Sequence, residues 1–173
     1  MPQNFISKRQ LRCTTVVQDD LEEEVIWEIV ENEGAIVINL VKNTGLEISE
    51  CYWVDESRTY LQAKYSHWTS MELFALIDQN GSIVAKSISE VAEYIVDKDL
   101  FIVVFSGHDT TDQFFGEILD NDDLKYAVVN GYGELVIPMQ DWVIRYLEEG
   151  RVFVCEQRGG DSKVYDLKGR VID

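Results

Sequence analysis

Four short stretches of the chain repeat one order of apolar and polar positions. Each has an apolar pair, then Glu, Asp or Asn, two variable residues, Gly, one variable residue and a second apolar pair. The stretches are residues 29–37, 76–84, 128–136 and 164–172. Because β-branched apolar segments around a short turn with Gly are typical of β-hairpins, the pattern predicts a hairpin in each stretch.

The residues that recur in the four turns have a physical explanation. An Asp or Asn at the first turn position accepts hydrogen bonds from backbone N–H groups two residues on, and Gly at the fourth position adopts a positive φ without a Cβ clash. A type I turn followed by a left-handed Gly commonly closes a hairpin, often with a G1 bulge. The sequence therefore predicts hairpins centred near residues 32, 79, 131 and 167, although gaps of 47, 52 and 36 residues between the glycines are too irregular for a strict solenoid.

Apolar runs outside these stretches predict further strands. Residues 48–54 and 60–65 flank a polar segment and are predicted to form another hairpin. Two more strands are predicted at residues 101–105 and 151–156, and residues 142–147 fit either a short helix or a strand. Residues 1–24 form a polar lead-in, in which the segment 14–17 fits a short edge strand.

One segment favours a helix over residues 88–97. The sequence Ser87-Ile88-Ser89-Glu90 has the form of a capping box, with Ser followed three residues later by Glu. The apolar residues that follow recur at helical spacing. They are Ile88, Val91, Ala92 and Ile95.

The predicted fold class is mainly β, with repeated antiparallel hairpins, about a dozen strands and one or two short helices. A chain of 173 residues is long enough to bury about 70% of its unfolded surface, and no Pro-rich or Ser-rich linker divides it. We therefore expect a single domain over residues 1–173. The longest apolar runs have the length of strands and fall far below the roughly 20 residues that span a bilayer.

Three of the four stretches carry an aromatic residue seven positions before the glycine, at Trp27, Phe74 and Tyr126. After the third glycine the chain continues into an apolar run that closes in Ile137-Pro138. This pattern resembles the WG-type repeat of bacterial proteins, with degenerate repeats near residues 27–39, 74–86, 126–138 and 162–173. The Trp-Gly dipeptide of that family is replaced in all four stretches, by Trp27-Glu28, Phe74-Ala75, Tyr126-Ala127 and Ser162-Lys163. The resemblance implies a structural repeat that is suited to binding, and it implies no catalytic residue.

The net charge of the chain restricts its possible functions more than its length does. The formal net charge is −17, and the acidic residues are clustered: residues 19–33 hold eight carboxylates and residues 107–123 hold six, with no Lys or Arg in either segment. Phosphate contacts need clustered Lys and Arg, so this charge argues against nucleic-acid binding. It produces a negative field that steers a basic protein partner, although solubility alone also explains a high net charge.

The acidic segments supply the candidate partner-binding residues. They are Glu22, Glu23, Glu24, Asp109, Asp112, Asp120, Asp122 and Asp123.

The cysteines and the first residues indicate the compartment. Cys13, Cys51 and Cys155 are odd in number and lack Cys-x-x-Cys spacing, which argues against a disulfide framework and a zinc cluster, so we expect buried free thiols. The basic residues near the start are not followed by an apolar segment typical of a secretory signal. The sequence predicts a cytoplasmic protein without metal or cofactor, and with no contact to a membrane.

Enzymatic chemistry has one candidate location, the polar segment 106–123. His108 lies there beside carboxylates, as a general base or a metal ligand does, although a histidine on a surface loop is the favoured interpretation. An EF-hand loop that starts at Asp120 is excluded, because Lys125 stands at its sixth position and Gly131 at its twelfth. A Cys-His pair has no local signature.

Three functions are compatible with these observations. The first is a non-enzymatic acidic binding protein, in its most specific form an immunity protein that neutralises a basic toxin such as a nuclease. The second is a metal-dependent or hydrolytic enzyme that uses residues 106–123. The third is a structural or regulatory interaction module. The absence of a recognisable catalytic motif favours the first.

Overall fold

The computed structural model describes residues 9–18, 22–31, 35–66, 72–105, 124–156 and 160–172. Strands make up 66% of the described residues and helix 4%, so the predicted mainly β fold is confirmed. The chain divides into two compact units, Met1–Lys86 and Ser87–Asp173. The expectation of a single domain stays a prediction, and each unit is described by itself.

The described residues of the first unit form two antiparallel sheets. Its elements are β1 (Gln10–Gln18), β2 (Glu22–Glu31), β3 (Ala35–Asn39), α1 (Leu40–Thr44), β4 (Ile48–Trp53), β5 (Tyr60–Ser66), β6 (Glu72–Asp78) and β7 (Ile83–Ile88), the last of which extends just past the boundary. One sheet has the order β1-β2-β3 and the other β4-β5-β6-β7. Neighbouring strands in each sheet are therefore consecutive in sequence, as predicted for hairpins.

The described residues of the second unit also form a four-stranded and a three-stranded antiparallel sheet, but with the four-stranded sheet first in sequence. Its strands are β8 (Glu90–Ile95), β9 (Leu100–Phe105), β10 (Lys125–Asn130), β11 (Leu135–Gln140), β12 (Val143–Leu147), β13 (Val152–Glu156) and β14 (Ser162–Tyr165). The sheet orders are β8-β9-β10-β11 and β12-β13-β14, and an isolated bridge joins Tyr165 to Val171. Residues 142–147, which the sequence left open between helix and strand, contain β12.

Three of the four predicted turns share one hydrogen-bond pattern. The Oδ1 atom of Asp78 accepts from the backbone N–H groups of Asn80 and Ser82, both at 2.8 Å. The same two bonds form at Asn130 and at Asp166, at 2.9 to 3.0 Å. The glycine at the fourth position of each turn has φ of 75° to 80° and donates to the carbonyl at the first position. The remaining turn includes residues 32–34, which lie outside the described residues.

Two of these glycines also lie against the preceding sheet of their own unit. A Cβ placed on Gly81 would lie 2.7 Å from Cγ2 of Ile38, and one placed on Gly169 would lie 1.8 Å from the carbonyl oxygen of Val136. Since real Cβ atoms do not approach other atoms this closely, these positions need glycine for both space and conformation. In each unit, a glycine turn of one sheet therefore packs against a strand of the sheet before it.

Each unit has its own apolar core. In the first unit Ile29, Leu61 and Ile77 are fully buried, and in the second Val128, Ile137 and Phe153 are. β9 is buried along its whole length, as its continuous apolar sequence predicts. No helix among the described residues is long and apolar enough to cross a membrane.

The predicted helix over residues 88–97 is wrong, because β8 occupies this segment. Val91 pairs with Val103 of β9, and Ser89 donates its backbone N–H to the carbonyl of Val104 at 2.7 Å. Ser87, which lies inside β7, has a positive φ of 58°, and β7 continues to Ile88 before β8 begins at Glu90. The helical spacing of apolar residues did not account for the buried β9, which pairs with β8 from Glu90 to Ile95 apart from one register shift.

The only helix among the described residues is α1, which the sequence pattern did not predict. Asn39 caps its start by accepting from the backbone N–H of Lys42 at 2.9 Å. Gly45 ends it in the left-handed conformation, with a φ of 70°, and donates to the carbonyl of Val41. With five residues, α1 is too short to show apolar periodicity.

Candidate functional site

The strands β1 and β2 form a two-stranded ribbon that is exposed to solvent at residues 13–16. Nine consecutive cross-strand pairs join them, from Gln10 opposite Val30 to Gln18 opposite Glu22, without a register shift. All four residues of the segment 13–16 are exposed. Because successive side chains of a strand point to opposite faces, exposure of four in a row leaves both faces of the ribbon open to solvent there. We call residues 10–18 and 22–31 the β1–β2 ribbon.

The inner end of the ribbon is held in the core of its unit. Ile29 is fully buried in the apolar cluster, and Leu11 and Trp27 pack against that cluster. The pairing Leu11 opposite Ile29 places both strands on the core at the same level. The ribbon is therefore anchored in the core at one end, and it is exposed further along, at residues 13–16 and at Glu24.

Three arginines fix the orientation of this anchored end. Arg12 donates from Nε and Nη2 to Oε2 of the buried Glu28, at 3.0 and 2.6 Å. Arg9 pairs with Glu31 and donates to the backbone carbonyl of Gln79 at 2.8 Å. Arg58 donates to the carbonyl of Arg9 at 2.6 Å. Charged hydrogen bonds of this kind are about twice as strong as neutral ones, so they position the ribbon on the unit that carries it.

The structure brings three of the predicted partner-binding residues together at the outer end of the ribbon. Glu22, Glu23 and Glu24 are the first three residues of β2, and they lie opposite Gln18, Val17 and Val16. Glu24 is exposed. The other predicted residues lie outside the described residues; they are Asp109, Asp112, Asp120, Asp122 and Asp123.

β1 is the outermost strand of its sheet, and it is longer than the sequence indicated. A short strand was predicted at residues 14–17 within the polar lead-in, whereas β1 has nine residues, Gln10–Gln18. Its only charged residue is Arg12, and four β-branched residues, Thr14–Val17, follow Cys13. The β-branched residues favour a strand, but the polar residues at both ends of the segment made the predicted strand too short.

The other edge strands among the described residues are shorter, and several are interrupted. β8 has a register shift between Val91 and Glu93, and β4 has one between Ile48 and Glu50. β11 contains Pro138, and β3 has only five residues. Short edges, bulges, charges and Pro are the usual protection against pairing with another chain. β1 has no Pro and an uninterrupted register, so it is the least protected edge of the described part of the chain.

The thiols contradict one expectation and support another. Cys51 and Cys155 are buried and free, as predicted, but Cys13 is exposed because it lies on the solvated part of β1. Burial raises the pKa of the Cys51 thiol to about 12 and raises the pKa of Cys155 as well. A thiol of this kind stays protonated at neutral pH and is a poor nucleophile.

The candidate enzyme segment 106–123, with His108, lies outside the described residues, and so does His67. Within the described ranges, no group of three or more His, Cys, Asp or Glu side chains is arranged to hold a metal ion. The β1–β2 ribbon is consequently the candidate site that the structure defines by geometry.

Comparison with protein-family models finds no match to this chain, and comparison with curated proteins finds none either. The resemblance to WG-type repeats accordingly stays a prediction.

Proposed function

We propose that this protein is a non-enzymatic binding protein that recognises a basic protein partner through the outer end of the β1–β2 ribbon. The observation that carries the proposal is the position of Glu22, Glu23 and Glu24, three consecutive acidic residues that begin β2 next to the exposed segment 13–16, on a ribbon whose other end is fixed in the core. Because these residues already belong to a paired strand, binding through them orders less backbone than binding through an unpaired segment.

The most specific form of the proposal is an immunity protein that neutralises a basic toxin such as a nuclease. A nuclease cleft is positively charged because it binds phosphates, and an acidic protein competes for that cleft with the same type of interaction. The net charge of −17 adds long-range attraction, which raises the association rate when salt is low.

A charge-neutralising variant with a matched control tests the proposal. In the test variant Glu22, Glu23 and Glu24 are changed together to Gln. In the control the exposed residues Glu47, Glu56 and Glu148, which lie away from the ribbon in sequence, are changed to Gln. Both variants reduce the negative charge equally, so a general loss of attraction affects them alike.

The partner is first isolated by affinity capture from the native cell, and its association with each variant is then measured by stopped flow at low and at physiological salt. The ribbon variant is expected to associate roughly 10-fold more slowly at low salt, and the control much less so. For the toxin hypothesis, the captured partner must also be inhibited in its own activity by this protein. Equal association rates for the ribbon variant and the unmodified protein would refute the proposed role of the three glutamates.

A further inference from the structure

We infer that the partner is bound by strand addition, with an extended, basic segment of the partner pairing along the outer edge of β1. This inference rests on the proposed function and adds to it the mode of recognition. Affinity then comes from main-chain hydrogen bonds, and selectivity for a basic segment comes from the acidic residues of the neighbouring strand β2.

The backbone of β1 has hydrogen-bonding groups available for such a segment. In an antiparallel pair, alternate residues direct their N–H and C=O groups toward the partner strand, and the residues between them direct theirs away from it. β1 pairs with β2 over nine residues, and within the described ranges no strand pairs with its other side. About half of the backbone groups of β1 therefore face away from β2, along an edge without a register shift.

The side chains of β1 leave room for an added strand. Thr14, Thr15 and Val16 are small, uncharged and exposed, and their β-branched shape suits packing against a neighbouring strand. No charged side chain lies between residues 13 and 18 to repel an incoming chain. The other edges of the described sheets lack this combination of length, regular register and neutral composition.

The charge of β2 determines which segment fits. Strands in a sheet lie about 4.8 Å apart, so an added strand would lie roughly 10 Å from β2, with β1 between them. Long Lys or Arg side chains cross most of that distance, whereas Asp or Glu in the added strand would be repelled by the like charge of β2, where Glu24 is exposed. The expected segment therefore alternates Lys or Arg with β-branched residues.

A second copy of this chain is a poorer occupant of the same edge. It carries the same net charge of −17 and the same three consecutive glutamates on β2. Pairing of two ribbons would bring these like charges into one sheet, and the repulsion opposes dimerisation. Charge complementarity thus selects a basic segment over self-association.

The experiment uses two synthetic peptides of the same length as β1, in which lysine alternates with valine. One has a normal backbone, and the other carries N-methyl groups on two adjacent central residues. Because adjacent N–H groups of a strand point to opposite edges, each edge of the modified peptide loses one hydrogen-bond donor and gains one projecting methyl group. Charge and side chains are identical. Binding to the full chain is measured by isothermal titration calorimetry, and hydrogen exchange of the β1 amides is followed by NMR.

The unmodified peptide is expected to bind about 10- to 100-fold more tightly than the N-methylated one, since whichever edge faces β1 lacks one hydrogen-bond donor and carries a methyl group that holds the two strands apart. It is also expected to slow hydrogen exchange at alternate residues of β1, which are those facing away from β2. Equal affinity of the two peptides, or no binding of either, would overturn strand addition. Slow exchange at those residues without peptide, together with a concentration-dependent dimer, would also overturn it in favour of a second copy.

The variant in which Glu22, Glu23 and Glu24 are changed to Gln separates this inference from the proposed function. If the variant binds both peptides equally and more weakly than the unmodified protein does, the acidic ribbon attracts basic partners but strand addition is refuted. If the variant retains full affinity and the preference for the unmodified backbone, strand addition stands, and the proposed selection of basic partners by these glutamates fails.

Discussion

Arg12 donates two hydrogen bonds to a single carboxylate oxygen of Glu28 across the ladder between β1 and β2. The side chain of Glu28 is only 10% exposed, whereas that of Arg12 is 39% exposed. The pair lies at the level where the β1–β2 ribbon leaves the core, directly before the exposed segment 13–16. The pair therefore contributes to the stability of the unit and also holds the base of the ribbon that carries the candidate site.

Changing Arg12 to Leu is expected to lower the free energy of unfolding by about 2 kcal/mol, because the mostly buried carboxylate of Glu28 loses its charged partner. Urea denaturation followed by tryptophan fluorescence measures the effect. The matched control is Arg145→Leu, which breaks a pair with Glu156 that is 3.6 Å long and exposed on both sides. The control is expected to lose less than about 0.5 kcal/mol, and equal losses would contradict a special role for the Arg12 pair.

Gly169 is expected to be among the most sensitive positions of the chain. A Cβ there would overlap the carbonyl oxygen of Val136 and would also force a non-glycine residue to adopt a φ of 75°. Gly169→Ala should lower the free energy of unfolding by about 3 kcal/mol, as the sum of overpacking and left-handed strain. Thermal and urea denaturation of the variant provide the measurement.

Gly45→Ala separates the two causes. Gly45 has a similar φ of 70°, but a Cβ there would meet no atom within 4 Å. This variant should lose only the conformational part, about 1 kcal/mol. If the two variants lost the same free energy of unfolding, the close approach of Gly169 to Val136 would make no contribution to stability.

The hairpin turns could be predicted from the sequence because they depend on local chemistry. An Asp or Asn and a Gly three residues later determine both the side-chain hydrogen bonds and the positive φ, and at Asp78, Asn130 and Asp166 the structure has both. The mainly β fold follows from these turns and from the β-branched segments beside them. The conformation of these four-residue turns therefore does not depend on residues that are distant in sequence.

Contacts between distant segments could not be predicted in this way. The helical spacing from Ile88 to Ile95 is real, but pairing with the buried β9 determined the outcome, and no local pattern shows which partner a strand will find. The approach of Gly81 to Ile38 is of the same kind. The acidic composition of residues 22–24 was visible in the sequence, whereas their position at the end of an exposed ribbon required the pairing of β1 with β2.

The carboxyl group of Asp166, in the fourth turn, makes the free energy of unfolding depend on pH. Hydrogen bonds from the backbone and the side chain of Arg170 lower the pKa of its carboxyl below the usual value. A lowered pKa in the folded state stabilises the protein above the unfolded-state pKa of 3.8, and this contribution is lost as the pH falls through the folded-state pKa. Asp166→Asn keeps an acceptor for the turn, as Asn130 shows, but it removes the titrating group.

The variant Asp166→Asn is expected to be less stable than the unmodified protein at pH 7, and the difference should shrink as the pH falls below 3.8. Urea denaturation at a series of pH values measures it. Asp78→Asn serves as the comparison, because the corresponding turn has Ser82 where the fourth turn has Arg170. A difference that grew toward low pH would mean that the sign of the pKa shift is wrong.

The three thiols are expected to react with an alkylating agent in a fixed order. Cys13 is exposed on the β1–β2 ribbon, whereas Cys51 and Cys155 are buried, and burial raises the pKa of Cys51 to about 12. Because the thiolate is the reactive form, iodoacetamide at pH 8 should modify Cys13 in minutes and leave the other two intact until the protein is unfolded. Peptide mapping by mass spectrometry with and without denaturant measures this order. Rapid modification of Cys51 in the folded protein would contradict its burial, and slow modification of Cys13 would mean that the β1 side of the ribbon is covered rather than open to a partner.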